Sequence, residues 1–92
     1  MISNITSNVV KNFTVSRALE VATTTKSELM RLKCRFYLKQ AQNRLKDDKK
    51  RFYADQALVA RGKRPTLPMT QSRREHVWQA EAMLEKMEEL RL

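Results

Sequence analysis

Apolar residues recur at helical spacing through the middle of the chain, over residues 26–61. This stretch has no Gly or Pro before Gly62. At about 100° per residue, most of its large apolar side chains fall in one sector of a helix. The sector holds Met30, Cys34, Tyr37, Leu38, Ala41, Leu45, Phe52 and Val59. The pattern predicts one central helix, about 54 Å long at 1.5 Å per residue, with this sector turned toward the core.

A second, smaller apolar group lies on another side of the same helix. It consists of Leu29, Leu32 and Phe36, all within the first turns. The first turns of the helix therefore need neighbours on two sides. We expect the N-terminal segment to supply one neighbour and the C-terminal helix to supply the other.

The ends of the central helix carry their own signals. Thr25 and Glu28 have the spacing of a capping box, in which each side chain bonds the backbone N–H of the other residue. Gly62 favours the left-handed backbone that ends a helix. Pro65 and Pro68 keep the connector, residues 62–71, from continuing it.

The segments on either side also predict helices. Ser72 and Glu75 form a second capping box before a C-terminal helix over residues 73–90. The apolar face of this helix holds Val77, Ala80, Met83, Leu84, Met87 and Leu90. The short connector favours an antiparallel return along the central helix. Residues 1–24 predict an N-terminal helix with Ile2, Ile5, Val9 and Phe13 on one face, although its many Asn and Ser residues favour fraying.

These elements predict an all-α protein of one domain, residues 1–92. The expected architecture is a small helical bundle or helical hairpin, built on the long basic helix with the C-terminal helix antiparallel to it and the N-terminal helix added. One Gly and two Pro in 92 residues support this class. The lone Cys34 fits a reducing compartment, so we expect a cytoplasmic protein. No apolar run reaches the length of a membrane span, and no membrane partner is expected.

The net positive charge of the chain, and its location in the central helix, indicate the kind of partner. The formal net charge is +9. Residues 26–64 hold thirteen Lys or Arg and four acidic residues, so the difference of nine equals the whole net charge. A balance of this kind favours an anionic partner, either nucleic acid or an acidic protein surface.

The basic residues of the central helix are also grouped by direction. Seven of them fall within about a third of the helix circumference. They are Arg31, Arg35, Lys39, Lys46, Lys49, Lys50 and Arg61. Lys63 and Arg64 extend this basic stripe into the connector. Because such a stripe can follow a phosphate backbone, we expect a small accessory protein that binds nucleic acid.

The alternative is a protein-interaction module, such as a phage- or plasmid-type regulator or inhibitor that docks on an acidic groove of a larger enzyme. Phe52 and Val59 lie where the central helix outruns its expected cover, and Met83 and Met87 offer adaptable apolar contacts. These four residues are the candidate protein interface. A homodimer is left open by the same reasoning.

Catalysis has little support in the sequence. His76 and Cys34 are the only His and Cys, and there is no Gly-rich phosphate loop. His76 has no orienting partner in the sequence pattern, and the position of Cys34 in the apolar sector indicates a small buried apolar group rather than a nucleophile. We therefore expect no enzyme, no cofactor, no metal and no small-molecule substrate.

Overall fold

The computed structural model describes residues 14–92. This part of the chain forms three helices and no strand. They are α1 (Val15–Thr24), α2 (Glu28–Ala60) and α3 (Gln71–Glu89). The all-α fold with one long central helix is confirmed. The predicted helical face of Ile2, Ile5, Val9 and Phe13 lies outside the described residues.

Helix α2 is the centre of the arrangement, since α1 and α3 each pack against it and touch one another much less. Contacts at both ends show that α3 runs antiparallel to α2. Arg73, in the first turn of α3, pairs with Asp55 near the end of α2 at 2.8 Å. Arg35, near the start of α2, donates to the Leu90 carbonyl just beyond α3 at 3.1 Å. The predicted antiparallel return is confirmed.

The start of α2 differs from the predicted capping box. Ser27 is the N-cap, and its Oγ accepts from the Met30 backbone N–H at 3.2 Å. Thr25 ends α1 instead, with its own N–H donating to the Val21 carbonyl at 2.9 Å. Because α1 uses Thr25 as its C-cap, that residue cannot also begin α2, and the Thr25 prediction is wrong.

The start of α3 also differs, by two residues in the opposite direction. Thr70 is the N-cap, and its hydroxyl accepts from the Arg73 N–H at 3.1 Å. Ser72 lies inside the helix, so its prediction as the cap is wrong. The earlier start places Arg73 in the first turn, from which its guanidinium reaches back to α2.

The end of α2 agrees with the sequence. Gly62 has φ +73°, in the left-handed region. Its N–H donates to the Val59 carbonyl, and the Lys63 N–H donates to the Leu58 carbonyl, both at 2.9 Å. These two bonds form a Schellman motif, which satisfies carbonyls that the helix leaves free.

The core lies between one face of α2 and the two shorter helices. Its buried members are Val15, Ala18, Leu19, Ala22, Cys34, Leu38, Ala41, Leu45, Ala80 and Met87. The predicted core sector was too long, because Met30 and Val59 near the two ends of α2 are 46% and 49% exposed.

The expectation of neighbours on two sides of the first turns is wrong. Leu29, Leu32 and Phe36 are 64%, 65% and 68% exposed. Helix α1 has only ten residues and covers the other side of α2. The radius of gyration, 16.1 Å, also exceeds the roughly 12 Å of a globular domain of this length. The chain is therefore extended and leaves apolar surface uncovered.

Candidate nucleic-acid interface

Three lysines form a row on the side of α2 that faces away from its buried residues. Lys39, Lys46 and Lys50 are all exposed. They fall within about 40° of one another around the helix. Within residues 14–92, no hydrogen bond or ion pair engages their ammonium groups. We call these three residues the lysine row.

The spacing of the lysine row suits an extended anion. Along the helix axis, Lys39 and Lys46 are about 10.5 Å apart, and Lys46 and Lys50 about 6 Å apart. Asn43, which is exposed, lies on the same side of the helix between the first two. Lys and Asn both donate hydrogen bonds to phosphate oxygens, so the row offers donors at several points along one line.

Three other residues of the predicted basic stripe have partners within the chain. Arg31 donates to the Thr25 carbonyl at 2.9 Å. Arg35 donates to the carbonyls of Leu90 and Arg91 at 3.1 and 3.3 Å, where a cation also offsets the negative end of the α3 dipole.

Lys49 is the third, since it pairs with Glu81 of α3 at 3.7 Å. The same carboxylate accepts from the Tyr53 hydroxyl at 2.9 Å, and this bond raises the pKa of Tyr53. The predicted stripe is therefore divided into one part that contacts α3 and the ends of the helices, and another part that has no partner among the described residues.

The C-cap of α2 and the connector add three exposed cations beyond the lysine row, Arg61, Lys63 and Arg64, which we call the connector cations. Arg61 shares the direction of the row around the helix. The Schellman turn at Gly62 then carries Lys63 and Arg64 past the end of α2. Row and connector together form a basic surface about 33 Å long from Lys39 to Arg61 at 1.5 Å per residue.

A buried carboxylate fixes the connector to α2. Asp55 is 1% exposed, and its Oδ1 accepts from the Thr66 backbone N–H at 2.8 Å and from the Thr66 hydroxyl at 2.9 Å. Arg73 pairs with its Oδ2 at 2.8 Å. The Thr66 N–H is the main cause that lowers the pKa of Asp55 to about 2, against the opposing effect of burial and with help from Arg73. Asp55, Thr66 and Arg73 are called the connector clamp.

The connector clamp was missed by sequence reasoning. Its members are separated by a turn and a Pro-containing segment, so helical periodicity cannot bring them together. One signal was present, because Asp55 occupies an alternate heptad position between Phe52 and Val59, at the edge of the apolar sector. An acid at such a position needs a partner, and Arg73 is the cation at the start of the next helix.

Two of the four candidate interface residues are enclosed within one copy of the chain. Phe52 is 3% exposed, with the Arg73 guanidinium 5.6 Å from its ring centroid, and Met87 is 0% exposed. Neither is therefore available to a partner. Met83 is half-buried, and Val59 is the one of the four with a large exposed fraction.

His76 and Cys34 lie apart from the basic surface. His76 Nε2 lies 3.1 Å from Asp48 Oδ2, a partner from the neighbouring helix that the sequence pattern did not indicate, and both side chains are partly open to solvent. Cys34 is buried in the core. The described residues contain no group of three or more His, Cys, Asp or Glu arranged to hold a metal ion.

The fold and this surface define a small all-α protein with a long helix whose outer side carries cations that have no partner within residues 14–92. None of the helices in residues 14–92 combines the length and the apolar character needed to cross a membrane. Comparison with protein-family models, with curated proteins and with solved structures finds no significant match to this chain.

Proposed function

We propose that this protein binds nucleic acid through phosphate contacts along the outer side of α2, as a small basic accessory protein. The observation that supports the proposal is the lysine row, three exposed ammonium groups in one line with no partner among the described residues. The connector cations Arg61, Lys63 and Arg64 extend the row, and the connector clamp fixes the connector to α2 at Thr66, two residues after Arg64.

The composition of the surface indicates how the nucleic acid is recognised. Lysine acts as a flexible point charge, and contacts to phosphate carry no base sequence directly. Each phosphate that is neutralised releases condensed counterions, so the affinity depends on salt. We therefore expect binding that is largely independent of sequence. The lone buried thiol fits a reducing compartment such as the cytoplasm.

The test is an anisotropy titration of a labelled DNA duplex, with an RNA duplex of the same sequence in parallel, over a range of salt concentrations. Six contacts, three from the lysine row and three from the connector, give a slope of log K against log salt of about −5 for B-DNA. The affinity should then fall about a thousandfold between roughly 50 and 200 mM salt. No complex at low salt with either duplex would refute the proposal.

Two triple variants of equal charge test whether the lysine row is the surface that binds nucleic acid. Lys39→Gln, Lys46→Gln and Lys50→Gln together should reduce the magnitude of the slope by about 2.7. The control triple of Arg17→Gln, Lys26→Gln and Lys86→Gln removes the same charge from other exposed positions and should leave the slope nearly unchanged. Equal effects of the two triples would show that net charge, rather than the lysine row, governs binding.

A second candidate is docking of the same surface on an acidic groove of a larger protein, as a regulator or inhibitor. The observation that favours it is apolar surface beside the connector cations, where Val59 is 49% and Leu67 is 51% exposed. Phosphates gain nothing from these side chains. Val59→Ser with Leu67→Ser should abolish co-purification of a stoichiometric protein from nuclease-treated lysate, while nucleic-acid affinity is retained. Unchanged co-purification would argue against this candidate.

A further inference from the structure

A half-exposed aromatic ring lies within the basic surface that runs from Lys39 to Arg61. Tyr53 is 41% exposed. It follows Lys50 by three residues, which places it about 4.5 Å farther along the axis of α2. Around the helix it lies within about 20° of Lys46. The ring is therefore beside the lysine row, and the proposed phosphate contacts do not use it.

The position of this ring is fixed by two contacts. The Tyr53 hydroxyl donates to Glu81 of α3 at 2.9 Å. The ring meets that of Phe52 edge to face, with the centroids 5.3 Å apart, and Phe52 is itself buried. Because the hydroxyl is engaged, the ring is the part of this side chain that is left for a ligand. Because the ring is already held, little conformational freedom is lost when a ligand binds to it.

The surroundings of the ring suit a ligand that carries both charge and a flat apolar part. One turn farther along the helix the neighbouring side chain is Ala57, which is exposed and too short to cover the ring. One turn earlier the neighbour is Lys49, which pairs with Glu81 at 3.7 Å. This ion pair offsets the negative charge beside the ring, so it reduces the repulsion that Glu81 would exert on a phosphate.

We propose that Tyr53 stacks on a base of a nucleic-acid strand whose phosphates lie along the lysine row, and that the preferred ligand is therefore single-stranded. This inference rests on the proposed function and adds the class of nucleic acid to it. Every base has a π-face, so stacking on an aromatic ring is tolerant of sequence. In a duplex the internal bases are already stacked on their neighbours, whereas an unpaired strand can turn a base toward the ring.

The test measures the affinity of the full chain for three labelled ligands. They are a single DNA strand of about 12 nucleotides, an abasic strand with the same number of phosphates, and the duplex formed by the first strand with its complement. The abasic strand keeps the phosphates and lacks the bases, so the ratio of the two single-strand affinities reports contacts to bases. The wild type should bind the strand at least about fivefold more tightly than the abasic strand, the lower limit for one base on one aromatic ring.

Two substitutions separate the ring of Tyr53 from its hydroxyl. Tyr53→Phe and Tyr53→Leu both remove the bond to Glu81, and only the leucine variant removes the ring. Circular dichroism establishes that both variants are folded. The affinity ratio should be retained in Tyr53→Phe and fall to about one in Tyr53→Leu, while both variants bind the abasic strand and the duplex as the wild type does. The matched control Trp78→Ala removes a 58% exposed ring from α3 and should leave the ratio unchanged.

Several results would overturn this inference while binding to the abasic strand and the duplex persists, so that the proposed function stands. One is a wild type that binds the two single strands equally. Another is a ratio that is retained in Tyr53→Leu, or that falls equally in Trp78→Ala, since the bases would then contact another part of the chain. Equal losses in Tyr53→Phe and Tyr53→Leu would show that Tyr53 acts only through its bond to Glu81. Absence of binding to all three ligands at low salt would refute the proposed function as well.

Discussion

The exposed apolar side of α2 formed by Leu29, Leu32 and Phe36 can be tested by making the same substitution at two leucines of this helix. Leu38 is 0% exposed and Leu32 is 65% exposed. Leu→Ala removes three carbons, which costs about 2.4 kcal/mol at about 0.8 kcal/mol per buried carbon, and the cavity raises the total to about 3–5 kcal/mol at a closed site. At Leu32 about a third of the side chain is buried, so only about a third of the 2.4 kcal/mol applies, and the high helix propensity of Ala offsets part of that. We therefore expect Leu32→Ala to lower the free energy of unfolding by less than about 1 kcal/mol.

The assay is thermal unfolding by circular dichroism at low protein concentration, where association between copies does not contribute. Leu38→Ala should lower Tm by at least about 10 °C, since 1 kcal/mol corresponds to about 4–8 °C in a domain of this size. Leu32→Ala should lower Tm by no more than a few degrees. Equal losses at the two positions would refute the reasoning, because they would show that Leu32 is covered within one copy of the chain.

Three other predictions concern the ends of the helices and the connector clamp. The depressed pKa of Asp55, about 2 against 3.8, means that its stabilising effect is present above about pH 4 and is lost as pH falls toward 2. The Asp55→Asn variant should therefore have a lower Tm than the wild type near pH 6, and its Tm should fall less than that of the wild type when the pH is lowered toward 2. Parallel profiles of Tm against pH for the two proteins would contradict this. Gly62→Ala should lower the free energy of unfolding, measured in urea, by about 1 kcal/mol. Backbone strain alone would cause this loss, since no atom lies within 4 Å of the added Cβ. An unchanged free energy of unfolding would show that the left-handed turn is not needed. Thr70→Ala removes the N-cap of α3 and should lower the free energy of unfolding by about 1 kcal/mol, whereas Ser72→Ala should leave it unchanged or slightly higher. A larger loss for Ser72→Ala than for Thr70→Ala would show that Ser72 is the N-cap, as the sequence predicted.

The parts of the fold that the sequence predicted depend on neighbours close in the chain. The period of α2 follows from residues three and four apart, and the turn at Gly62 follows from one residue's backbone freedom. The antiparallel return of α3 follows from the short connector. The N-caps were harder to place, because Thr25 and Ser27 are both competent caps and the end of α1 decides between them.

The candidate site was less predictable, since it depends on contacts across the fold. Arg35 was predicted to be a binding residue, but its guanidinium donates to the carbonyl of Leu90, just beyond α3 and 55 residues away in sequence. Asp55 looked like a break in the apolar stripe and is instead the anchor of the connector. Leu29, Leu32 and Phe36 were expected to be covered by a neighbouring helix, because the sequence does not show that α1 covers only the opposite side of α2.

Lys49 and Lys50 show how the fold separates the structural cations from the free ones. They are adjacent in sequence and identical in chemistry, but one residue turns a helix by about 100°. Lys49 therefore faces α3 and pairs with Glu81, while Lys50 faces solvent in the lysine row. Glu81 of α3 therefore neutralises a lysine at the edge of α2 that it reaches, while the lysine row on the outer side keeps its charge. The positive charge available to a partner is thus set by the rotation of α2 relative to α3, as well as by the number of lysines and arginines in the chain.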